Sequence, residues 1–96
     1  MQVRFLTPAE IEMFEASAYY EMQATDLGSH FLDIIEEATN EIKENPRRWP
    51  EIDQEIRRRV VRRFPYSILY RIRADEIIIV AIMHQKQRPN YWIDRL

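Results

Sequence analysis

His84 closes the apolar run EIIIVAIMH, and it is one of only two histidines in the 96-residue chain. An unperturbed imidazole titrates near neutrality, so at the end of a strand it could accept or donate a proton. The same half of the sequence carries groups suited to anions: Arg62, Arg63, Arg71 and Arg88, with Tyr91 as a further donor. Arginine keeps its charge and forms paired contacts with carboxylate or phosphate. The stretch EIRRRVVRRFPYSILYRI alone holds six arginines, although the formal net charge of the chain is −2. Residues 1–55 carry four basic and thirteen acidic side chains, and residues 56–96 carry ten basic and three acidic ones. Such a split points to an anionic partner on the basic half. Plainer roles compete. A lone histidine at a strand end is more often a structural hydrogen-bonding group than a catalyst. Arginines that alternate along a strand face opposite ways, so only about half of them can line one face.

The elements that must position these residues can be read from the hydrophobic pattern. QVRFL reads as a short strand with Val3 and Phe5 on one side. In TPAE, Thr7 suits a helix cap, Pro8 the first turn and Glu10 a capping box. The helix that follows is expected to run to about Leu27 and to bury the stripe Ile11, Phe14, Ala18 and Met22. Gly28, the only glycine, is expected to take the left-handed conformation that closes this helix, with Ser29 capping the next. Phe31, Ile34, Ile35, Ala38 and Ile42 form a second helical stripe that Asn45-Pro46 ends. From residue 56 the period changes to two, and IRRRVVRR, YSILYRIR and EIIIVAIMH read as three strands. A two-residue turn at Ala74-Asp75 sets Ile72 opposite Ile77, Tyr70 opposite Ile79, Ile68 opposite Ala81 and Tyr66 opposite Met83.

That register gives one wholly apolar face, expected to meet the helices. It leaves a second face of Ser67, Leu69, Arg71 and Arg73 with Ile78, Val80 and Ile82. An unpaired Arg71 buried against the chain's own helices would be costly, and an exposed apolar patch marks a partner surface. This second face, with Arg62, Arg63 and Arg88 at its border, is therefore the expected binding surface. The pattern predicts one α+β domain over residues 1–96: a strand, an antiparallel helical hairpin on one face of a four-stranded sheet, and a three-stranded antiparallel meander.

Composition narrows the function. The chain has no cysteine, which excludes disulfides and thiolate metal sites and suits a reducing cytoplasm. Two histidines exclude a histidine-rich metal site, and no cofactor is expected. No signal-peptide pattern opens the chain, and no apolar run approaches the ~20 residues of a membrane span.

The element order, together with FLTPAEIEMFEASAYYE, LGSHFLD, NPRRWPEI, the RRFPYSILYRI block and the His84 to Trp92 ending, resembles the RelE/ParE superfamily of bacterial toxins, a family that includes plasmid-stabilisation proteins. The resemblance implies a growth-arresting toxin of a type II toxin–antitoxin pair, neutralised by a cognate antitoxin across the open sheet face. RelE-like members cut messenger RNA on the ribosome, and ParE-like members poison DNA gyrase. Metal-free RNA cleavage needs a base for the 2′-hydroxyl, a donor for the leaving oxygen and cations for the phosphorane. His84, Tyr91 and Arg71 are the catalytic candidates under that reading. Two arginines usual in the nucleases are replaced, by Ser67 in the third-strand block and by Gln85 after the histidine. The lean is therefore to a ParE-like or other non-nuclease action. A ribosome-dependent endoribonuclease is the alternative, and an inactive antitoxin-binding member is a further one.

Overall fold

The computed structural model describes all residues 1–96. The order is β1 (Gln2–Phe5), α1 (Thr7–Gln23), α2 (Leu27–Glu44), β2 (Glu51–Asp53), β3 (Ile56–Val60), β4 (Tyr66–Arg73), β5 (Glu76–His84) and a final 3₁₀ turn (Ile93–Arg95). The sheet has five strands in the order β1-β5-β4-β3-β2, with β1 parallel to β5 and the remaining pairs antiparallel. The expected four-stranded sheet thus gains a fifth strand, β2. It is three residues long, fully exposed, and joined to β3 through Gln54 and Glu55 at φ 48° and 66°. Two consecutive left-handed residues normally signal themselves by glycine or asparagine. Neither is present, so the turn left no mark in the sequence.

The β4–β5 hairpin follows the expected register from Arg73↔Glu76 to Tyr70↔Ile79. There a β-bulge intervenes. Leu69 pairs with Ala81, Ile68 with Ile82, Ser67 with Met83 and Tyr66 with His84. Val80 is the extra residue. One added residue puts every later side chain of β5 on the face opposite to the one that simple alternation predicts. Ile82 accordingly joins the helix-side core with Ile68, Tyr70, Ile77 and Ile79, beneath Phe31, Ile34, Ile35, Ala38 and Ile42 of α2. Ala81 and Met83 move to the second face. Ile82, expected on the binding face, is on the opposite one.

The second face is not bare. Leu69, Ile78, Val80, Ala81, Met83 and Ile56 form a core of their own under Trp92, with Tyr91 and Ile93 packed against it. The indole of Trp92 is 1% exposed. The C-terminal tail therefore covers the part of this face expected to await a partner.

The helical hairpin also departs from expectation. α1 buries Ala9 and Ala16, not the predicted stripe. Asp26, not Gly28, takes the left-handed conformation, at φ 68°. Gly28 lies inside α2, where it lets the helices touch: a Cβ there would stand 2.5 Å from the backbone oxygen of Ser17. The crossing is sealed by polar contacts. Ser17 Oγ donates to Gly28 O at 3.1 Å, and the Glu21 carboxylate accepts from the backbone N–H groups of Gly28 and Asp26 at 2.9 and 3.0 Å. Glu21 thus satisfies the open donors of the α2 N-terminus from the neighbouring helix. The predicted Thr7 capping box does not form, since the first turn of α1 has no side-chain cap.

Candidate functional site

The arginine block has two destinations. Along β3, Arg57 and Arg59 pair across to Tyr70 and Ile68 on the helix side. Arg57 donates to the backbone oxygens of Trp49 and Arg47 at 2.7 and 3.2 Å and meets Glu51 at 3.3 Å. Arg59 pairs with Glu41 of α2 while its guanidinium stacks 4.7 Å from the Trp49 ring. Arg62 meets Glu37 at 3.1 Å, and Arg63 lies 3.2 Å from His30 Nε2. Arg62 and Arg63, expected on the partner face, turn instead to α2. Much of the charge split is therefore internal, because cations of the second half hold the acidic helix of the first.

Arg58 alone of the β3 arginines turns to the second face. It donates to Ser67 Oγ at 3.0 Å, which satisfies a hydroxyl whose residue is only 2% exposed. Ser67 is a buried anchor for a neighbouring guanidinium rather than an open contact.

What remains open on the second face is a cleft of about 330 Å³ lined by Arg4, Arg71, Arg73, Arg95, Ile78 and Val80, with Glu76 at its edge. Arg4 is held by Glu76 through contacts of 3.0 and 3.3 Å. That contact draws the Glu76 carboxyl below its usual range and raises the Arg4 guanidinium. Arg95 is held by Glu12 at 2.8 Å. Arg71 and Arg73 have no acidic partner in the chain. The cleft therefore presents two uncompensated guanidinium groups beside the apolar Ile78 and Val80.

His84 and Tyr91 line a different cleft, of about 340 Å³, with Glu12, Glu15, Tyr19, Tyr66, Ile82 and Gln87. The His84 ring meets Tyr66 edge-on, with centroids 5.0 Å apart. Its Nδ1 accepts from the Lys86 N–H at 3.0 Å. Neutral His84 therefore carries its proton on Nε2. Tyr91 is already committed: its hydroxyl donates to Glu12 Oε2 at 2.6 Å and its ring lies 4.9 Å from the Arg95 guanidinium. Burial, then the bond to Glu12, push its phenol far above the ordinary value. Arg88 is exposed and its side chain makes no hydrogen bond. The three catalytic candidates thus divide, with His84 and Tyr91 in one cleft and Arg71 in another.

The group that joins the two clefts was not expected. Beyond Ile79 no strand flanks β5 on the side of β1. There the Ile82 N–H donates to Glu12 Oε1 at 3.1 Å, and the Val80 carbonyl accepts from Arg95 Nη1 at 3.0 Å. Arg95 closes the loop through two further bonds to Glu12, at 2.8 and 2.9 Å. Glu12 thus ties α1, the bulged strand and the tail together. In the sequence it looks like one more glutamate on an outer helix face; only the bulge and the return of the tail give it this place.

Set against known proteins, residues 3–89 match the family model described as ParE toxin of type II toxin-antitoxin system, parDE. The chain belongs to the ParE toxin family. It is 28% identical to Toxin ParE2 of Mycobacterium tuberculosis over 90 residues, which cover 93% of this chain and 86% of that one. A stretch of 76 residues, 79% of this chain, is 30% identical to part of an ATP-dependent helicase/deoxyribonuclease of Clostridium perfringens. The chain spans only 6% of that much longer protein. Among solved structures, the chromosomal ParDE TA system from P. aeruginosa superposes with a TM-score of 0.65 at 17% identity, covering 88% of this chain and 95% of that one. At that identity the likeness is one of fold. The ParE assignment and the ParDE-like architecture agree with the family read from the motifs, and with its ParE branch.

Proposed function

We propose that this ParE-family chain is the toxin of a type II toxin–antitoxin pair, that it arrests growth by acting on DNA gyrase, and that an acidic segment of its antitoxin occupies the cleft of Arg71 and Arg73. One observation carries the antitoxin assignment. Nearly every other arginine of the basic half is engaged by the chain's own carboxylates, carbonyls or aromatic rings, whereas these two guanidinium groups are left without a counter-charge beside apolar Ile78 and Val80. A carboxylate-bearing, partly apolar segment complements that surface. The reading replaces an antitoxin spread over the whole sheet face with one confined to the part that the tail leaves open.

The non-nuclease action is supported by the division of the candidate groups. Cleavage through the 2′-hydroxyl requires base, acid and cations around one phosphate. Here the imidazole lies in one cleft, Arg71 in the other, and the Tyr91 hydroxyl is held by Glu12.

Two measurements test this reading. In calorimetric titration with the antitoxin encoded beside the chain, Arg71→Ala should cost about 1–3 kcal/mol of binding, the range for a hydrogen bond to a charged group. Undiminished affinity places Arg71 outside the interface. After induction without antitoxin, gyrase supercoiling should fall while the 5′ ends of cellular messenger RNA stay unchanged. New cuts phased to the ribosomal A site would overturn the non-nuclease assignment, and unchanged supercoiling would overturn the gyrase assignment.

A further inference from the structure

The α1 stripe expected to be buried faces outward. Ile11 is 51% exposed, Phe14 54% and Met22 86%; Ala18 between them is exposed too, and Tyr19 beside them is 59% exposed. Ile11, Phe14, Ala18 and Met22 recur at steps of three, four and four residues and so lie along one line of the helix, roughly 16 Å long at 1.5 Å per residue. Phe14 also borders a cleft of about 300 Å³ between the helices, whose apolar wall is Phe5, Met13, Leu32 and Ile35 and whose rim carries Glu36. An apolar ridge running into an apolar cleft is more than the scattered exposure usual on a monomer surface.

The charge around the ridge selects its occupant. α1 contains four glutamates and no lysine or arginine. Glu12 is turned inward and Glu21 caps α2, but Glu10 and Glu15 are exposed and form no ion pair, and Glu36 at the cleft has none either. A second copy docked through the same helix would set glutamates against glutamates without a compensating cation. An acidic segment would meet the same repulsion. We propose that the outer face of α1 is a docking surface for an amphipathic helical segment of a partner protein, about three turns long, whose apolar ridge is flanked by lysine or arginine. This surface is distinct from the arginine cleft and selects the opposite charge.

The test uses the full chain and two synthetic 16-residue helical peptides with the same leucine ridge, one flanked by lysines and the other by glutamates. In fluorescence anisotropy at low salt, the lysine-flanked peptide should bind at least ten-fold more tightly than the glutamate-flanked one. The double variant F14S/M22S should lower that affinity ten-fold or more, with an unchanged melting temperature because both side chains are largely exposed. Equal binding of the two peptides, no binding of either, or affinity indifferent to F14S/M22S would overturn the proposal. Sedimentation of the chain alone gives a further check. A dimer abolished by F14S/M22S would assign the ridge to a second copy and also overturn it; a monomer is the expected result. None of these readouts involves the antitoxin, gyrase or growth arrest.

Discussion

Replacing Glu12 by alanine removes the acceptor of four hydrogen bonds at once: from the Ile82 N–H, from the Tyr91 hydroxyl and two from Arg95. Each bond to a charged group is worth about 1.5–3 kcal/mol taken alone, but four bonds on one carboxylate form a network and do not add. Removing one partner of a fully buried ion pair costs about 3–5 kcal/mol, because the other charge is stranded. The Glu12 and Arg95 side chains are 19% and 17% exposed, so water can reach the orphaned guanidinium in part and the cost falls lower, at about 2–4 kcal/mol. For a domain of this size each kcal/mol moves the melting temperature by about 4–8 °C, so the expected loss is large. The damage should also be local. With Arg95 and Tyr91 released, Trp92 loses its clamp, and in a Trp49→Phe background its emission should shift red before global unfolding. The Ile82 amide, left without an acceptor, should exchange its hydrogen faster. In a double-mutant cycle, Glu12→Ala and Arg95→Met should be strongly non-additive. A Glu12→Ala protein within about 0.5 kcal/mol of the parent, or strictly additive behaviour in the cycle, would refute the argument that this carboxylate holds the tail on the sheet.

Gly28→Ala should destabilise by about 1–3 kcal/mol in urea titration, the usual cost of overpacking. Its methyl group would meet a backbone oxygen that cannot rotate away; a neutral or stabilising result would mean that the helices separate freely. Glu55→Gly should stabilise by about 1 kcal/mol, because a left-handed conformation costs an L-residue roughly 1–2 kcal/mol; a calorimetric melt checks it. Burial raises the phenols of Tyr20, Tyr66, Tyr70 and Tyr91 above the ordinary value of 10.0. A raised folded-state value favours the protonated form, so this stability is complete below about pH 10 and is lost as pH climbs through the folded-state values. Urea midpoints should therefore fall steadily above about pH 10, the unfolded tyrosine value, and a midpoint flat to strongly alkaline pH would contradict the burial of these rings.

Much of the fold was legible where local pattern and tertiary demand coincide. α2 buries the stripe that its spacing announces, and β4 and β5 have the predicted limits and the predicted pairing next to their turn. Legibility fails where two patterns compete or where a single residue changes the count. α1 offers both a large apolar stripe and a small one, and the small residues Ala9 and Ala16 prevail inside, where α2 approaches closely enough to require Gly28. The bulge at Val80 is invisible because valine fits a strand equally well with or without a partner. From it follow the misplacement of Ile82 and the unforeseen role of Glu12. The cationic character of the second face could be read from Arg71 and Arg73, but the destinations of Arg62 and Arg63 depend on how α2 lies over the sheet, which no local spacing encodes.

The bulge leaves Val80 and Ala81 side by side on one face, so β5 contains a position it could lose without turning anything over. With Val80 excised, Ala81 would follow Ile79 in plain alternation, and Ile82 would still point at the helices. What would vanish is the carbonyl that Arg95 grips and one apolar wall of the arginine cleft. The scaffold would survive the excision while the chain's end came unmoored. An added residue has no such gentle outcome, because a second offset would invert Ile82 and His84 together. Length variation at this point is therefore one-sided: the strand can shorten by one and merely loosen its strap, but it cannot lengthen by one without turning its far end inside out.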